Sequence, residues 1–249
     1  MLNIVLPMAG HGSRFAKAGY TDPKPLIPVF GQPMIELVIE NLRPAQPHRF
    51  IFVCQQEHLE RYALGERLLQ IAPGSAVIPV QQVTEGAACT VLLTRELIDN
   101  DQPLMIANCD QYIDVSIDDY LARQQGVDGL IMTMTADDPK WSFVRLNDND
   151  EITEVVEKQV VSHEATVGIY NYARGSDFVA AADAMIAQDL RVNGEFYVAP
   201  AYNSMIAKGQ KLAYYNIGAD RAGMYGLGVP SDLDYFIAHC GELVARRSA

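Results

Sequence analysis

Two stretches near the N-terminus carry residue types suited to holding phosphate. Met8-Ala9-Gly10-His11-Gly12-Ser13-Arg14-Phe15 directly follows an apolar run. Glycines there let backbone N–H groups approach an anion, because no Cβ intervenes. The string lacks the G-x4-G-K-[ST] of a Walker A loop, and Phe15 stands where a dinucleotide fingerprint needs its third glycine. Taken alone it reads as a phosphate loop or as a simple turn. The second stretch, Asp22-Pro23-Lys24-Pro25, sets a lysine between two prolines. Proline fixes its own φ and restricts the residue before it, so Lys24 sits on a stiff, extended backbone. That suits a cation that meets a phosphate at a defined place. Arg14, Lys17 and Lys24 against Asp22 make this end locally positive, within a chain whose formal net charge is −12.

A third candidate is Asp110, in Ala107-Asn108-Cys109-Asp110 after another apolar run. In an open α/β sheet, an acidic residue at a strand's carboxyl end points into the ligand crevice. Its alternative reading is an Asp that caps a turn before Asp114.

The elements that position these residues follow from periodicity. Short apolar strands are expected at Asn3–Pro7, Arg49–Cys54, Ala76–Val80 and Leu104–Ala107. Helical patterns lie near Pro33–Leu42, Glu57–Ile71 and Ala87–Ile98. Continuous apolar strands separated by helices predict a Rossmann-like, mostly parallel α/β sheet with helices on both faces. From about Gly129 the spacers shorten. Gly129–Thr135, Ser142–Asn147, Ile152–Lys158 and Ala165–Tyr172 read as a small β-rich extension, with helices returning near Asp177–Ile186, Val198–Lys208 and Ser231–Leu243. No linker or repeat divides the 249 residues, so a single domain is expected, with halves of about 1–128 and 129–249.

Composition narrows the function. A 49% hydrophobic, 20% charged chain is ordinary globular material. Its negative balance disfavours nucleic acid and anionic membranes as partners. No apolar run is long enough to span a bilayer, and MLNIVLPMAG has no basic residue before its apolar stretch, so a cytoplasmic home is expected. Cys54, Cys89, Cys109 and Cys240 form no CxxC pair and read as reduced thiols, and the histidines form no zinc motif.

Met-Ala-Gly-x-Gly-Ser-Arg-Phe, followed by Pro-Lys-Pro-Leu-Ile, resembles the signature of the sugar-phosphate nucleotidylyltransferases, or nucleotide-diphospho-sugar pyrophosphorylases. The resemblance extends along the whole chain. It implies the fold of that family and a Mg²⁺-dependent transfer of a nucleoside monophosphate from a nucleoside triphosphate to a phosphorylated acceptor. The default acceptor is a sugar 1-phosphate, and the product supplies polysaccharide precursors. By resemblance, Ala9, Gly10, Gly12 and Ser13 contact the triphosphate, and Arg14 and Lys24 neutralise its phosphates in the transition state. Gln81 and Gly86, in Gln81-Gln82-Val83-Thr84-Glu85-Gly86, match the segment that meets the base; without the family this is a strand-to-helix turn capped by Thr84. Asp110 matches the metal-binding aspartate. In Glu154-Val155-Val156-Glu157-Lys158, the resemblance gives Glu157 an acceptor hydroxyl and Lys158 the acceptor's phosphate. Gly168 matches the strand behind the acceptor, and Glu195, in Asn193-Gly194-Glu195, the turn beside it.

The chain departs from the pattern near its C-terminus. Many relatives carry a second metal-binding aspartate two residues before a glycine; here Met224-Tyr225-Gly226-Leu227-Gly228-Val229-Pro230 puts Gly226 in its place. Three consequences stay open at this point. Asp110 holds the metal with phosphates and water, Asp220 or Asp232 substitutes, or the activity is weak or different. The departure also keeps a cytidylyltransferase for a small non-sugar phosphate in view. A glycosyltransferase using a nucleotide sugar would show Asp-x-Asp where this chain has Asp110-Gln111-Tyr112. A non-catalytic nucleotide-binding protein is the remaining class.

Overall fold

The computed structural model describes residues 1–10 and 12–247. Nine strands form one continuous path, in the order Ala76–Val80, His48–Gln55, Leu2–Met8, Leu104–Ala107, Glu164–Tyr172, Gly129–Thr135, Leu212–Asp220, Gly223–Gly226 and Gln111–Ile113. The first four run parallel. Glu164–Tyr172 is antiparallel to both its neighbours, so the sheet is mixed beyond that point. Ser142–Leu146 and Ile152–Glu157 form an antiparallel pair off this path, joined to Glu164–Tyr172. Of the four strands expected as a β-rich extension, only this pair lies off the main path; Gly129–Thr135 and Glu164–Tyr172 are instead central strands of the large sheet, because they pair with Leu212–Asp220 and Leu104–Ala107.

Alternation along the central strand explains why helices must cover both faces. Leu2, Ile4, Leu6 and Met8 enter one core and Val5 the other. Successive side chains of a strand point to opposite faces, so an apolar run at both parities needs two cores. Met34–Leu42 supplies Met34, Ile35, Leu37, Val38, Ile39 and Leu42 to the first core. Gly175–Ala187 supplies Phe178, Val179, Ala181, Ala182 and Met185 to the second. Among the described residues, no helix is long and apolar enough to cross a membrane.

Several expected elements are divided. The helical pattern at 57–71 becomes Gln56–Tyr62 and Leu64–Ile71, broken at Ala63, whose φ is 50°. The pattern at 87–98 becomes Ala87–Leu92 and Arg95–Ile98. Thr84 does not cap the first of these. Gly86 is the N-cap residue, and the Thr84 hydroxyl donates to the Gly86 carbonyl at 2.9 Å. Three strands of the large sheet had no sequence signal: Gln111–Ile113, Leu212–Asp220 and Gly223–Gly226. Two are very short, and the third carries half-buried tyrosines and a register shift between Asn216 and Ala219. Pairing partners, not local pattern, make them strands.

Candidate active site

The carboxyl ends of the parallel strands gather the expected residues. Beyond Met8, the Gln55 side chain donates to the carbonyls of Ala9 at 2.8 Å and Gly10 at 3.1 Å, fixing the path of the glycine loop. Gly12 has φ 59° and lies against Lys24, 3.4 Å from the Lys24 Cβ to the place where its own Cβ would stand. The loop and the Pro-Lys-Pro segment are therefore packed together. Ser13 and Arg14 open the short helix Ser13–Lys17 and are exposed, while Phe15 is buried and meets Tyr20 edge to face at 5.0 Å. That anchor turns Arg14 outward over the crevice.

Lys24 and Asp110, 86 residues apart in sequence, form an ion pair of 2.7 Å. Both side chains keep only 21% and 25% of their exposure, so the pair is poorly screened. Burial pulls the Lys24 ammonium's pKa down, but the adjacent Asp110 carboxylate outweighs it and the net shift is upward. Gly228 closes over the carboxylate: a Cβ there would lie 2.5 Å from Asp110 Oδ2.

Arg14 and Asp110 line one cavity of about 470 Å³, together with Asn108, Gln111, Lys140, Trp141, Gly226, Gly228 and Asp232. Glu157 and Gly168 line a neighbouring cavity of about 270 Å³, with Ser142, Thr166, Tyr170 and Tyr197. Asn108, Lys140 and Trp141 border both. The two cavities thus share a wall.

The smaller cavity is built on cross-strand register. Glu157 sits directly opposite Ser142 on the antiparallel pair, and the Ser142 hydroxyl donates to its carboxylate. Burial raises the Glu157 pKa, more than the Ser142 hydrogen bond and the Lys158 charge lower it. Gly168 has φ 80°, and a Cβ there would lie 2.1 Å from Asn108 Nδ2 and 3.0 Å from Gln111 Oε1. Only glycine lets those two amides approach the strand. Lys158 lines neither cavity. Its Nζ donates to the Tyr197 hydroxyl at 2.5 Å, which raises its pKa, and its backbone N–H donates to the Trp141 carbonyl at 3.0 Å.

Gln81 is exposed at the end of Ala76–Val80 and lines neither cavity. Gly86, with φ 135°, packs on backbone: a Cβ would lie 2.4 Å from the Phe196 carbonyl oxygen. The Phe196 N–H donates to the Glu85 carbonyl at 2.8 Å, and the Ala88 N–H donates to the Phe196 carbonyl at 3.0 Å. Residues 81–86 are thereby joined to the Asn193-Gly194 turn, where both residues have positive φ and Glu195 is exposed. The structure thus brings Arg14, Lys24 and Asp110 together, and separately Glu157 and Gly168.

Sequence reading passed over Gln55, Asn108, Gln111, Lys140, Trp141, Ser142 and Tyr197. Asn108 and Gln111 flank Asp110, and Trp141 is the chain's one tryptophan, beside a lysine; those were the available signals. Ser142 had none, because its role depends on register with Glu157.

The donor set fits a magnesium ion. Asp110 and Asp232 offer carboxylates and Asn108 an amide oxygen to one cavity, and Mg²⁺ needs one or two carboxylates alongside phosphate and water. Gly226 supplies no side chain, but its absent Cβ would stand 3.3 Å from Asp232 Oδ2, so Asp232 reaches that space. Asp220 lines neither cavity; it lies 4.0 Å from Lys140. Among the described residues, no group of three or more His, Cys, Asp or Glu side chains forms a metal cluster.

Comparison with known proteins places this geometry. The family model described as nucleotidyl transferase matches residues 3–210. The catalytic subunit beta of mannose-1-phosphate guanylyltransferase from Danio rerio is 30% identical over 184 residues, covering 69% of this chain and 50% of that protein. The bifunctional protein GlmU of Enterococcus faecalis is 24% identical over 224 residues, covering 86% of this chain and 46% of that protein. The chain spans about half the length of these curated relatives. The crystal structure of a nucleoside-diphosphate-sugar pyrophosphorylase from Vibrio cholerae RC9 superposes with a TM-score of 0.84 at 27% identity, covering 95% of this chain and all of the other. A UDP-glucose pyrophosphorylase complexed with UDP-glucose shares the fold, with a TM-score of 0.76 at 18% identity, covering 98% of this chain and 99% of that one. With a family model matched over residues 3–210, the chain belongs to the nucleotidyl transferase family.

Proposed function

We propose that this protein transfers a nucleoside monophosphate from a nucleoside triphosphate to a sugar 1-phosphate, releasing pyrophosphate. The observation that carries the reading is the shared wall of Asn108, Lys140 and Trp141 between the Arg14–Asp110 cavity and the Glu157–Gly168 cavity. Two substrates held on either side of that wall meet over it. The triphosphate lies on the first side, against Ala9, Gly10, Gly12 and Ser13, with the base toward Gln81 and Gly86. The acceptor lies on the second, where Glu157, Ser142 and Thr166 accept or donate to hydroxyls, with Lys158 bonded to the cavity-lining Tyr197 and the Glu195 charge felt at Glu157.

On this reading a phosphate oxygen of the acceptor attacks the α-phosphorus in line. The new P–O bond forms as the bond to the bridging oxygen breaks, and pyrophosphate leaves with the electron pair. No protein nucleophile is needed; such transfers depend on positioning and charge neutralisation. Arg14 supplies positive charge from the exposed end of its helix. Lys24 supplies it from a fixed backbone while keeping Asp110 in place. Mg²⁺, held by Asp110 with Asp232, would supply further neutralisation of phosphate charge.

The test is pyrophosphate release with Mg²⁺, screening ATP, CTP, GTP, UTP and dTTP against sugar 1-phosphates and small non-sugar phosphates. Release that requires one nucleotide with one sugar 1-phosphate is expected. Release only with a non-sugar phosphate would replace the acceptor, and silence from a protein that binds triphosphate would overturn the catalytic reading.

A further inference from the structure

Gln111 carries a buried hydrogen-bond donor that the folded protein leaves unused. The residue is 5% exposed, and its Nε2 has no hydrogen-bond partner among the described residues. Orphaned donors of this kind are uncommon, since burial strips water from the group and nothing replaces it. The position does not demand a polar side chain for packing. Its neighbour Tyr112 points to the other face and packs against Phe236 at 5.2 Å, as alternation along Gln111–Ile113 requires.

The surroundings say what the donor faces. Gln111 lines the cavity that holds Arg14 and Asp110. Across the antiparallel ladder it stands opposite Gly226, which has no side chain to cover it. The amide's other end lies by Gly168, 3.0 Å from Oε1 to the place a Cβ would take. One end is therefore seated on the strand, and the NH₂ end lies covered and without a partner in a side chain that lines the cavity, so reaching a ligand takes a turn of the amide. An amide N–H pairs with an acceptor oxygen, and the Arg14 cation on the same cavity draws an anionic one.

We propose that Gln111 is a substrate-binding residue, its Nε2 donating to a phosphoryl oxygen of the bound nucleotide. The inference rests on the nucleotidyl-transfer reading above and assigns to this residue a contact made only in the complex. In the free protein the amide is held ready and unsatisfied.

Thermal unfolding of the full chain, with Mg²⁺ and each of ATP, CTP, GTP, UTP and dTTP in titration, tests it on the wild type, Gln111→Met and Gln111→Glu. Without nucleotide, Gln111→Met is expected to keep or raise the Tm, because no hydrogen bond is lost. Its affinity for the nucleotide that stabilises the wild type is expected to fall about tenfold or more, the worth of one hydrogen bond to a charged oxygen. Gln111→Glu, which turns the donor into an anion of the same shape, should lose at least as much. Gln111→Met with a lowered Tm and unchanged affinity would overturn the proposal and make the amide a packing group or a water site. Wild-type affinity in Gln111→Glu would overturn it equally. A wild type stabilised by none of the five nucleotides would instead remove the functional reading, and this proposal with it.

Discussion

Gly228→Ala tests the placement of Asp110 without touching any charged residue. Gly228 does not have a positive φ, so alanine fits its backbone, and the perturbation is one methyl group. That methyl lies 2.5 Å from Asp110 Oδ2, about 0.9 Å short of the 3.4 Å at which ordinary contact begins. A free carboxylate would swing aside at little cost, but this one is held at 2.7 Å by Lys24. Moving it clear stretches the pair to about 3.6 Å, beyond hydrogen-bond reach. At an effective dielectric of about 20, the attraction falls from about 6 to about 4.6 kcal/mol. Each side chain is about a quarter exposed, and water recovers part of that loss. A net cost of about 1 kcal/mol remains, which corresponds to a Tm lower by about 2–4 °C for a chain of this length. Displacing a group that positions substrate by nearly 1 Å costs about a hundredfold in turnover. The assays are thermal unfolding and pyrophosphate release, with Gly226→Ala as control. A Cβ at Gly226 meets Asp232 Oδ2 at 3.3 Å, so a change within about 0.5 kcal/mol is expected. In an Asp110→Asn background, Gly228→Ala should add little, because the two act through one carboxylate. Wild-type Tm and turnover in Gly228→Ala, or equal losses in the two glycine variants, would refute the reasoning.

Four further predictions concern other parts of the site. Gly86→Ala sets a Cβ against the Phe196 backbone at positive φ and should cost about 2–5 kcal/mol, seen as a Tm lower by about 4–20 °C. Gly10→Ala, with nothing within 4 Å of its Cβ, should leave the Tm unchanged while raising the KM for nucleotide. The Glu157 pKa is raised by burial, so between the ordinary glutamate range and its raised value the folded chain holds more protons than the unfolded one, and stability falls as pH rises through that window. Glu157→Gln should therefore gain Tm over the wild type above the window and converge with it below, in unfolding followed from about pH 4 to pH 8; a pH-independent difference would contradict this. Arg14→Ala should lower kcat more than it raises KM, whereas a change confined to KM would make Arg14 a ground-state contact.

Locally encoded features were legible in the chain itself. The parallel strands Ala76–Val80 and Leu104–Ala107 follow from continuous apolar runs, and Gly129–Thr135 from its own. Lys24 reads as a rigid cation because the prolines that stiffen it are its immediate neighbours, but in place of the extended backbone expected there it opens a 3₁₀ turn, Lys24–Leu26. Asp110 reads as a crevice residue because the strand that ends before it is apolar throughout. The glycine loop, its arginine and the Pro-Lys-Pro segment all lie within one short stretch, where spacing alone specifies geometry.

What remained hidden depends on register and on contacts between distant segments. Lys24 pairs with Asp110 only because the sheet brings residues 86 positions apart to 2.7 Å. Glu157 is buried because strand pairing puts Ser142 opposite it, and one step of slippage would turn it to the other face. Gly86 must be glycine because the Phe196 backbone crosses it, and Gly168 because the Asn108 and Gln111 amides lean on it. Gln111–Ile113 and Gly223–Gly226 exist as strands through each other, and that pairing leaves the Gln111 amide without a partner. The amino-acid sequence alone determined which residues have the types and spacing suited to phosphate, and the α/β class that presents them, since both rest on neighbours and periodicity. The tertiary structure alone decided which of them share a cavity, because burial and pairing are set by long-range register that no local pattern specifies.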